Sequence, residues 1–141
     1  MPGTRLPKGY RPTEKEKYMA PPMLEYFRQK LLAWKQELLR ESTETLAELQ
    51  HDGGMQEPDI TDRASLETDR SLEFRTRDRE RKLIIKIDEA LERIRDGTYG
   101  FCEETGEPIG IRRLEARPIA TLGLEAQERH ERMERTHRDD T

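Results

Sequence analysis

Two stretches of apolar residues spaced by three and four positions constrain the fold of this chain more than any other feature. The first stretch comprises Leu24, Phe27, Leu31, Trp34 and Leu38. The second comprises Leu83, Ile87, Ala90 and Ile94. Apolar side chains at this spacing form one stripe along an α-helix, which is typical of the seam of a coiled coil. The sequence therefore predicts two long helices that pair along these stripes.

A glycine-containing break separates the two predicted helices. The first helix is predicted to begin near Met23 and to stop at residues 51–54. The second is predicted to run from near Asp59 to Asp96, where Gly97 supplies a C-terminal stop. Because each helix is apolar at the end away from the break, we expect an antiparallel hairpin with a polar tip.

The chain divides by composition into four predicted segments. Residues 1–21 are rich in proline and basic residues, which predicts a disordered tail. Residues 22–97 form the coiled coil, with its tip near 51–62. In residues 98–123, glycines stand between aromatic and β-branched residues, which predicts a small knuckle or two short strands. Residues 124–141 are predicted to form a C-terminal helix with a frayed tail. The predicted fold class is mostly α, with a long antiparallel two-helix coiled coil on a small globular end.

The composition limits both the core of the chain and its surroundings. Of the 141 residues, 40% are charged and 32% hydrophobic, which disfavours a compact enzyme built around a sheet. No apolar run approaches the roughly 20 residues that span a bilayer, and the N-terminus has no apolar signal segment, so we expect a soluble, cytoplasmic protein. The formal net charge of -4 gives no general attraction to DNA or to an anionic membrane. The single cysteine excludes an intramolecular disulfide.

Three motifs give the chain a family resemblance. They are DITDRA at residues 59–64, RTRDRERKLI at 75–84 and GIRRLEARP at 110–118. In this order and spacing they resemble the DksA family of bacterial RNA polymerase-binding transcription factors, over about residues 18–127. The resemblance implies a non-enzymatic monomer whose coiled coil enters the secondary channel of RNA polymerase. It also implies regulation of initiation at stable-RNA and amino-acid promoters together with ppGpp, without sequence-specific DNA binding and without a membrane.

Asp59, Asp62 and Ala64 occupy the coiled-coil tip positions of this resemblance. By position alone, Asp59 is a helix N-cap and Asp62 favours the helix dipole from the first turn, so both could serve only to start the helix. The resemblance implies that these residues act near the catalytic centre of the polymerase.

Two other functions stay open from the residues alone. A transcript-cleavage accessory factor would need a catalytic magnesium ion between Asp59 and Asp62, as in the cleavage factors that use the same channel. A plain coiled-coil adaptor would have no polymerase partner. Binding to RNA polymerase separates the adaptor from the other two functions.

Arg75, Arg79, Leu83 and Lys86 recur in steps of four and three, so they share one face of the second helix. Within residues 75–86, six cations stand beside two anions. A charge run of this kind is commonly a solvated face with no partner. The resemblance implies instead that these four residues bind the polymerase.

The resemblance places ppGpp against Lys86, Arg117 and a lysine early in the C-terminal helix. Arg117 precedes Pro118, which predicts an extended bend from which its guanidinium can project. The position of the third cation is Gln127 in this chain. Because a cation is missing from a site for a polyanion, we expect ppGpp either to bind more weakly or to use Arg129 instead.

The largest departure from the family concerns zinc. Well-known members bind one structural zinc ion through four cysteines, and the matching positions here are Cys102, Thr105, Gly123 and Ala126. One thiolate does not complete a tetrahedral zinc site. The chain therefore resembles the short-cysteine, zinc-independent members of the family. We expect no zinc and no other cofactor, and ppGpp is expected to act as a co-regulator. The predicted core of this degenerate zinc-finger-like knuckle is Tyr99, Phe101, Ile109, Ile111, Leu114, Ile119 and Leu122.

Overall fold

The described part of the chain is mostly helical. The computed structural model describes residues 4–52 and 60–139, and within them the side chains of residues 4–43 and 67–137. The helices are α1 (Pro21–Asp52), α2 (Ile60–Asp96), α3 (Ile111–Ala116) and α4 (Leu124–Asp139). Within these ranges the only strand pairing is an isolated bridge between Phe101 and Pro108, and none of the helices has the continuous apolar length that crossing a bilayer requires. The mostly α fold class predicted from the sequence is confirmed.

Helix α1 begins two residues before the predicted start. Its first residue is Pro21, and the next turn is closed by a hydrogen bond from the Leu24 N–H to the carbonyl of Ala20 at 3.1 Å. Proline suits a first helical turn because the N–H groups of that turn have no partner within the helix. The helix continues to Asp52, and the glycines of the predicted break lie outside the described residues.

Helix α2 ends as the sequence predicted. Gly97 follows the last helical residue with a φ of +82°, a conformation that glycine adopts without steric cost. The Thr98 N–H bonds to the Arg93 carbonyl at 2.9 Å, and the Gly97 N–H bonds to the Ile94 carbonyl at 3.4 Å. This pair of bonds is a Schellman motif, which satisfies carbonyls that the helix itself leaves free.

The chain forms two compact units, which are described separately. The hairpin unit comprises Leu32–Asp88, and the globular unit comprises the residues up to Leu31 and those from Glu89 onward. In the hairpin unit, the Lys35 ammonium lies 2.7 Å from the Asp88 carboxylate, which pairs an early residue of α1 with a late residue of α2. The two helices of this unit are therefore antiparallel, as predicted.

Nearer the tip, the hairpin unit turns charged side chains inward. Glu80 is 9% exposed, and Glu73 and Arg77 are half-buried. The nearby Leu72 and Phe74 are 53% and 56% exposed. Among the described side chains of this unit, the buried apolar ones are Leu38 and Ile87, at the end of the unit away from the tip. The predicted polar tip region therefore extends well along α2.

The globular unit holds most of the described apolar core. Its largest fully buried side chains are Tyr99, Phe27, Met23, Leu31 and Leu114. The Phe27 and Tyr99 rings lie 5.7 Å apart at a tilt of 49°. Each such side chain contributes about 1.5–3 kcal/mol when it leaves water. Burial is thus concentrated where the start of α1 meets the segments after α2.

The knuckle of residues 98–123 is held by backbone hydrogen bonds with little strand character. The Cys102 N–H bonds to the Glu107 carbonyl at 2.8 Å, and the Ile109 N–H bonds to the Gly100 carbonyl at 2.8 Å. In place of the two predicted short strands, the knuckle has one β-bridge. The short helix α3 follows the bridge and was not predicted from the sequence.

The predicted knuckle core is confirmed in its larger part. Of the predicted residues, Tyr99, Ile109, Leu114 and Ile119 are buried. The other three, Phe101, Ile111 and Leu122, are half-buried. Cys102 and Ala120 are buried in the same region.

The structure corrects the predicted disordered tail of residues 1–21 for residues 4–20, whereas residues 1–3 lie outside the described residues. The Tyr18 hydroxyl donates to the Gly100 carbonyl at 2.7 Å and accepts from the Gly110 N–H at 3.1 Å, so it joins two parts of the knuckle. The Tyr18 and Phe101 rings meet edge to face at 5.5 Å. Aromatic side chains therefore dock residues 4–20 on the globular unit, although the proline-rich composition favours disorder.

Helix α4 is exposed over most of its described length. Ala126 is buried, whereas Leu124 and Met133 are 60% and 64% exposed. The His130 ring contacts the Glu104 carboxylate of the knuckle. The predicted C-terminal helix is confirmed.

Candidate functional site

The four residues predicted to bind polymerase define a surface that we term the basic face, made of Arg75, Arg79, Leu83 and Lys86. Arg75, Arg79 and Lys86 are exposed on α2, and Leu83 is half-buried at the edge of the hairpin seam. Steps of four and three residues keep these side chains on one side of the helix. The structure thus brings the four predicted residues together as one surface of the hairpin unit.

The acidic residues within this part of α2 do not cancel its positive charge. Asp78 is engaged by Lys82, with the ammonium 3.0 Å from the carboxylate. Glu80 faces the interior of the hairpin and is 9% exposed. The exposed arginines and Lys86 therefore dominate the field of the basic face, which suits an acidic partner surface.

The tip residues are only partly described. Asp59 lies outside the described residues, whereas Asp62 and Ala64 belong to the first turns of α2. An aspartate in the first turn interacts favourably with the positive end of the helix dipole. The helix start therefore places Asp62 where the sequence predicted it, within the described backbone.

Arg117, which is predicted to contact ppGpp, and Gln127, which occupies the position of the missing third cation, lie in the globular unit. Arg117 directly follows α3 in an extended conformation, with φ -142° and ψ 85°, and its side chain is exposed. Its N–H bonds to the Arg113 carbonyl at 2.8 Å, and the following Pro118 is buried. Gln127 is half-buried near the start of α4, and its amide donates to Glu131 at 3.3 Å.

The four positions that match zinc ligands line one cavity. Cys102, Thr105, Gly123 and Ala126 all border a space of about 290 Å³ in the globular unit. A Cβ atom added at Gly123 would lie 4.0 Å from the Cys102 Cβ atom. The four positions therefore lie together around one space, although only Cys102 among them carries a zinc-ligating side chain.

Among the described residues that line this cavity, Cys102 supplies the only sulfur ligand, and its environment favours the thiolate. Burial raises the pKa of Cys102, but hydrogen bonds from the Thr105 hydroxyl and from the N–H groups of Gly123, Thr105 and Glu104 outweigh that effect. The pKa falls from 9.0 to about 7. Donors from both ends of the knuckle thus converge on the sulfur and stabilise its charge.

The residues of this cavity do not fit a zinc ion. Structural zinc requires four ligands drawn from thiolate, imidazole and carboxylate groups. Thr105 supplies a hydroxyl, and Gly123 and Ala126 have no ligating side chain. Across the described residues, no group of three or more histidine, cysteine, aspartate or glutamate side chains is arranged to hold a metal.

Two contacts that stabilise the globular unit were missed by the sequence analysis. The Lys30 ammonium lies 2.7 Å from the Glu115 carboxylate, and the Tyr26 hydroxyl donates to the same group at 3.0 Å. Burial raises the pKa of Glu115, but these two partners lower it below its usual range. The other contact is the docking of Tyr18 on the knuckle. The sequence gives only one indication of this contact, which is an aromatic residue within the segment predicted to be disordered.

An antiparallel helical hairpin and a knuckle in which four zinc-ligand positions line one cavity define a class of two-part helical proteins. The family model described as DnaK suppressor protein DksA, N-terminal domain, matches residues 23–94. The model described as Prokaryotic dksA/traR C4-type zinc finger matches residues 97–132. The chain belongs to the DksA family.

Individual relatives agree with this assignment. The RNA polymerase-binding transcription factor DksA of Caulobacter vibrioides strain NA1000 is 66% identical over 131 residues, covering 93% of this chain and 92% of the relative. The protein of the same name from Escherichia coli strain K12 is 47% identical over 110 residues, covering 78% of this chain and 72% of the relative. The solved structure of transcription factor DksA2 from Pseudomonas aeruginosa matches with a TM-score of 0.80 and 45% identity, covering 86% of this chain and 94% of that one.

Proposed function

We propose that this protein is a non-enzymatic regulator of transcription that binds RNA polymerase and inserts its helical hairpin into the secondary channel. Regulation would act on initiation at stable-RNA and amino-acid promoters. The relatives named as RNA polymerase-binding transcription factors support the partner. The observation that carries the proposal is the basic face, because its exposed cations are grouped on one side of the hairpin unit without exposed, unpaired carboxylates between them.

Reversing one charge of the basic face is expected to weaken polymerase binding. Arg79→Glu should raise the Kd for the polymerase of the same organism by at least about tenfold, or about 1.4 kcal/mol, because an attraction becomes a repulsion. Arg95→Glu is the matched control, since Arg95 is an exposed cation of α2 that lies in the globular unit. Fluorescence anisotropy at two salt concentrations measures both variants. Equal affinity of the two variants would contradict the role of the basic face, and absence of binding by the wild type would favour the adaptor.

We further propose that ppGpp strengthens the effect of the protein through Lys86 and Arg117. Gln127→Lys should enlarge the response to ppGpp, because it restores a cation to a site for a polyanion. Lys86→Ala should reduce the response, and Glu128→Gln on exposed α4 makes the same change of charge as Gln127→Lys and should leave it unchanged. The measurement is in vitro transcription from a stable-RNA promoter with and without ppGpp at saturating protein. An unchanged response in Gln127→Lys would contradict this account of the missing cation.

The knuckle is proposed to fold without zinc. The purified protein should contain negligible zinc by mass spectrometry, and a chelator should leave its Tm unchanged, because Thr105, Gly123 and Ala126 supply no zinc-ligating side chain. The variant Thr105→Cys/Gly123→Cys/Ala126→Cys completes four thiolates around the same cavity. We expect this variant to bind one zinc ion and to melt at a lower temperature when the chelator is added. One zinc ion per wild-type chain would refute the proposal.

The remaining expectations follow from the same function. We propose a cytoplasmic monomer that acts through the polymerase and has no DNA sequence preference of its own. The net charge of -4 supports the absence of DNA binding, because the chain as a whole does not attract a polyanion.

A further inference from the structure

A second surface of the hairpin unit carries exposed apolar side chains. Leu39 of α1 is 47% exposed and Phe74 of α2 is 56% exposed, and together with Ile84 they line a groove of about 450 Å³. We term this surface the apolar groove. Single exposed apolar residues are common, but a contiguous concave set drawn from two helices is typical of an interaction site.

Packing within the hairpin does not account for the orientation of Phe74. Glu80 lies toward the interior and Arg77 is half-buried, and the Arg77 Nε and a Glu80 carboxylate oxygen have no hydrogen-bond partner among the described residues. A hairpin selected only for stability would bury the phenyl ring and expose the charges. The exposure of the ring therefore indicates a partner outside the chain.

The charge around the apolar groove is positive. Arg77 and Arg81 border it, and the one acidic residue among its described lining residues, Asp78, is paired with Lys82 at 3.0 Å. An apolar floor with guanidinium groups beside it is complementary to an amphipathic segment that carries carboxylates next to an apolar side chain.

The apolar groove is distinct from the basic face. Arg79 follows Phe74 by five positions, which is a rotation of roughly 140° around an α-helix. Phe74, Arg77 and Arg81 are three and four positions apart and so share one side of α2. The hairpin unit thus presents two different surfaces from the same stretch of helix.

We propose that the apolar groove docks an acidic amphipathic segment of RNA polymerase, with an apolar side chain against Phe74 and Leu39 and carboxylates against Arg77 and Arg81. This inference rests on the proposed function and extends it, because it adds a second contact with the polymerase to the basic face. An apolar contact in the groove contributes to the binding free energy of the complex in a way that salt does not screen.

The test compares two exposed apolar residues of the same helix. Phe74→Ala should weaken binding to the polymerase by at least about tenfold, as expected for an aromatic anchor. Leu72→Ala is the matched control, because Leu72 is equally exposed but does not line the groove, and it should change the Kd by less than about twofold. Circular dichroism verifies that both variants keep their helix content. Arg81→Glu should also weaken binding by at least about tenfold, through the rim of the groove.

The outcomes separate this inference from the proposed function. If the wild type binds polymerase and Phe74→Ala binds equally well, the apolar groove is not a docking site and the inference fails alone. If the wild type does not bind, the proposed function fails. If sedimentation shows that the wild type self-associates and that Phe74→Ala does not, the groove holds a second copy of the chain and the inference is overturned.

Discussion

Replacing Asp62 by asparagine is expected to abolish inhibition at a stable-RNA promoter while the affinity for polymerase and the helix content stay nearly unchanged. The substitution keeps the size and shape of the side chain, removes its charge and replaces one acceptor oxygen by an NH2 donor. Asp62 lies in the first turn of α2, about three and a half turns before Arg75, the first residue of the basic face. Because the proposed contact with polymerase is made by the basic face, loss of the tip charge should affect the action of the protein and spare its binding.

The measurement is in vitro transcription from a ribosomal RNA promoter, with affinity determined in parallel. Asp69→Asn is the matched control, because Asp69 is an exposed aspartate of α2 seven positions further along, on nearly the same side of the helix. It should inhibit transcription like the wild type. If Asp62→Asn loses binding and inhibition to the same extent, the tip has no separate role. If the wild type promotes magnesium-dependent RNA cleavage that Asp62→Asn lacks, the protein is a cleavage factor.

Truncation of Tyr99 is expected to cause a large loss of stability in the globular unit. Tyr99 is fully buried, its ring lies against Phe27, and its hydroxyl donates to the Pro118 carbonyl at 2.8 Å. Tyr99→Ala should lower the free energy of unfolding by about 3–5 kcal/mol, through lost burial and a cavity. Tyr99→Phe removes only the hydrogen bond and should cost about 1–3 kcal/mol, because the carbonyl is left without that partner.

Urea denaturation followed by circular dichroism measures both variants of Tyr99. Phe101→Ala provides a comparison with an aromatic residue of the same knuckle that is only half-buried, and it should cost less than Tyr99→Ala. A Tyr99→Ala variant that is as stable as Tyr99→Phe would show that the ring contributes little, and the knuckle would then depend on other contacts.

The helices were predictable because their signals are local. Each apolar stripe repeats over several turns, and Gly97 ends α2 through bonds to residues within the preceding turn. Helix α3 was missed because six residues give too short a pattern for a helical period to emerge. The docking of Tyr18 was missed because its partners lie 82 and 92 positions away, which no local pattern reveals.

The candidate site was predictable to different extents. The basic face follows from helical spacing, so Arg75, Arg79 and Lys86 could be grouped without a structure. The cavity positions came from the family resemblance, because nothing in a lone cysteine connects it with Gly123 or Ala126. The outward orientation of Phe74 could not be predicted, since a phenylalanine among charged residues of a helix is ordinarily expected to face the seam.

The hydrogen bond between Tyr18 and Gly110 joins residues that are 92 positions apart, so it can form only late in synthesis of the chain. The globular unit combines the residues up to Leu31 with those from Glu89 onward, so its early part has no partner until the later part has been translated. Helices α1 and α2 can pair in the meantime, because the hairpin unit is continuous in sequence. Until then Phe27 and Tyr18 lack their native partners in the knuckle, so their aromatic rings stay exposed on the nascent chain.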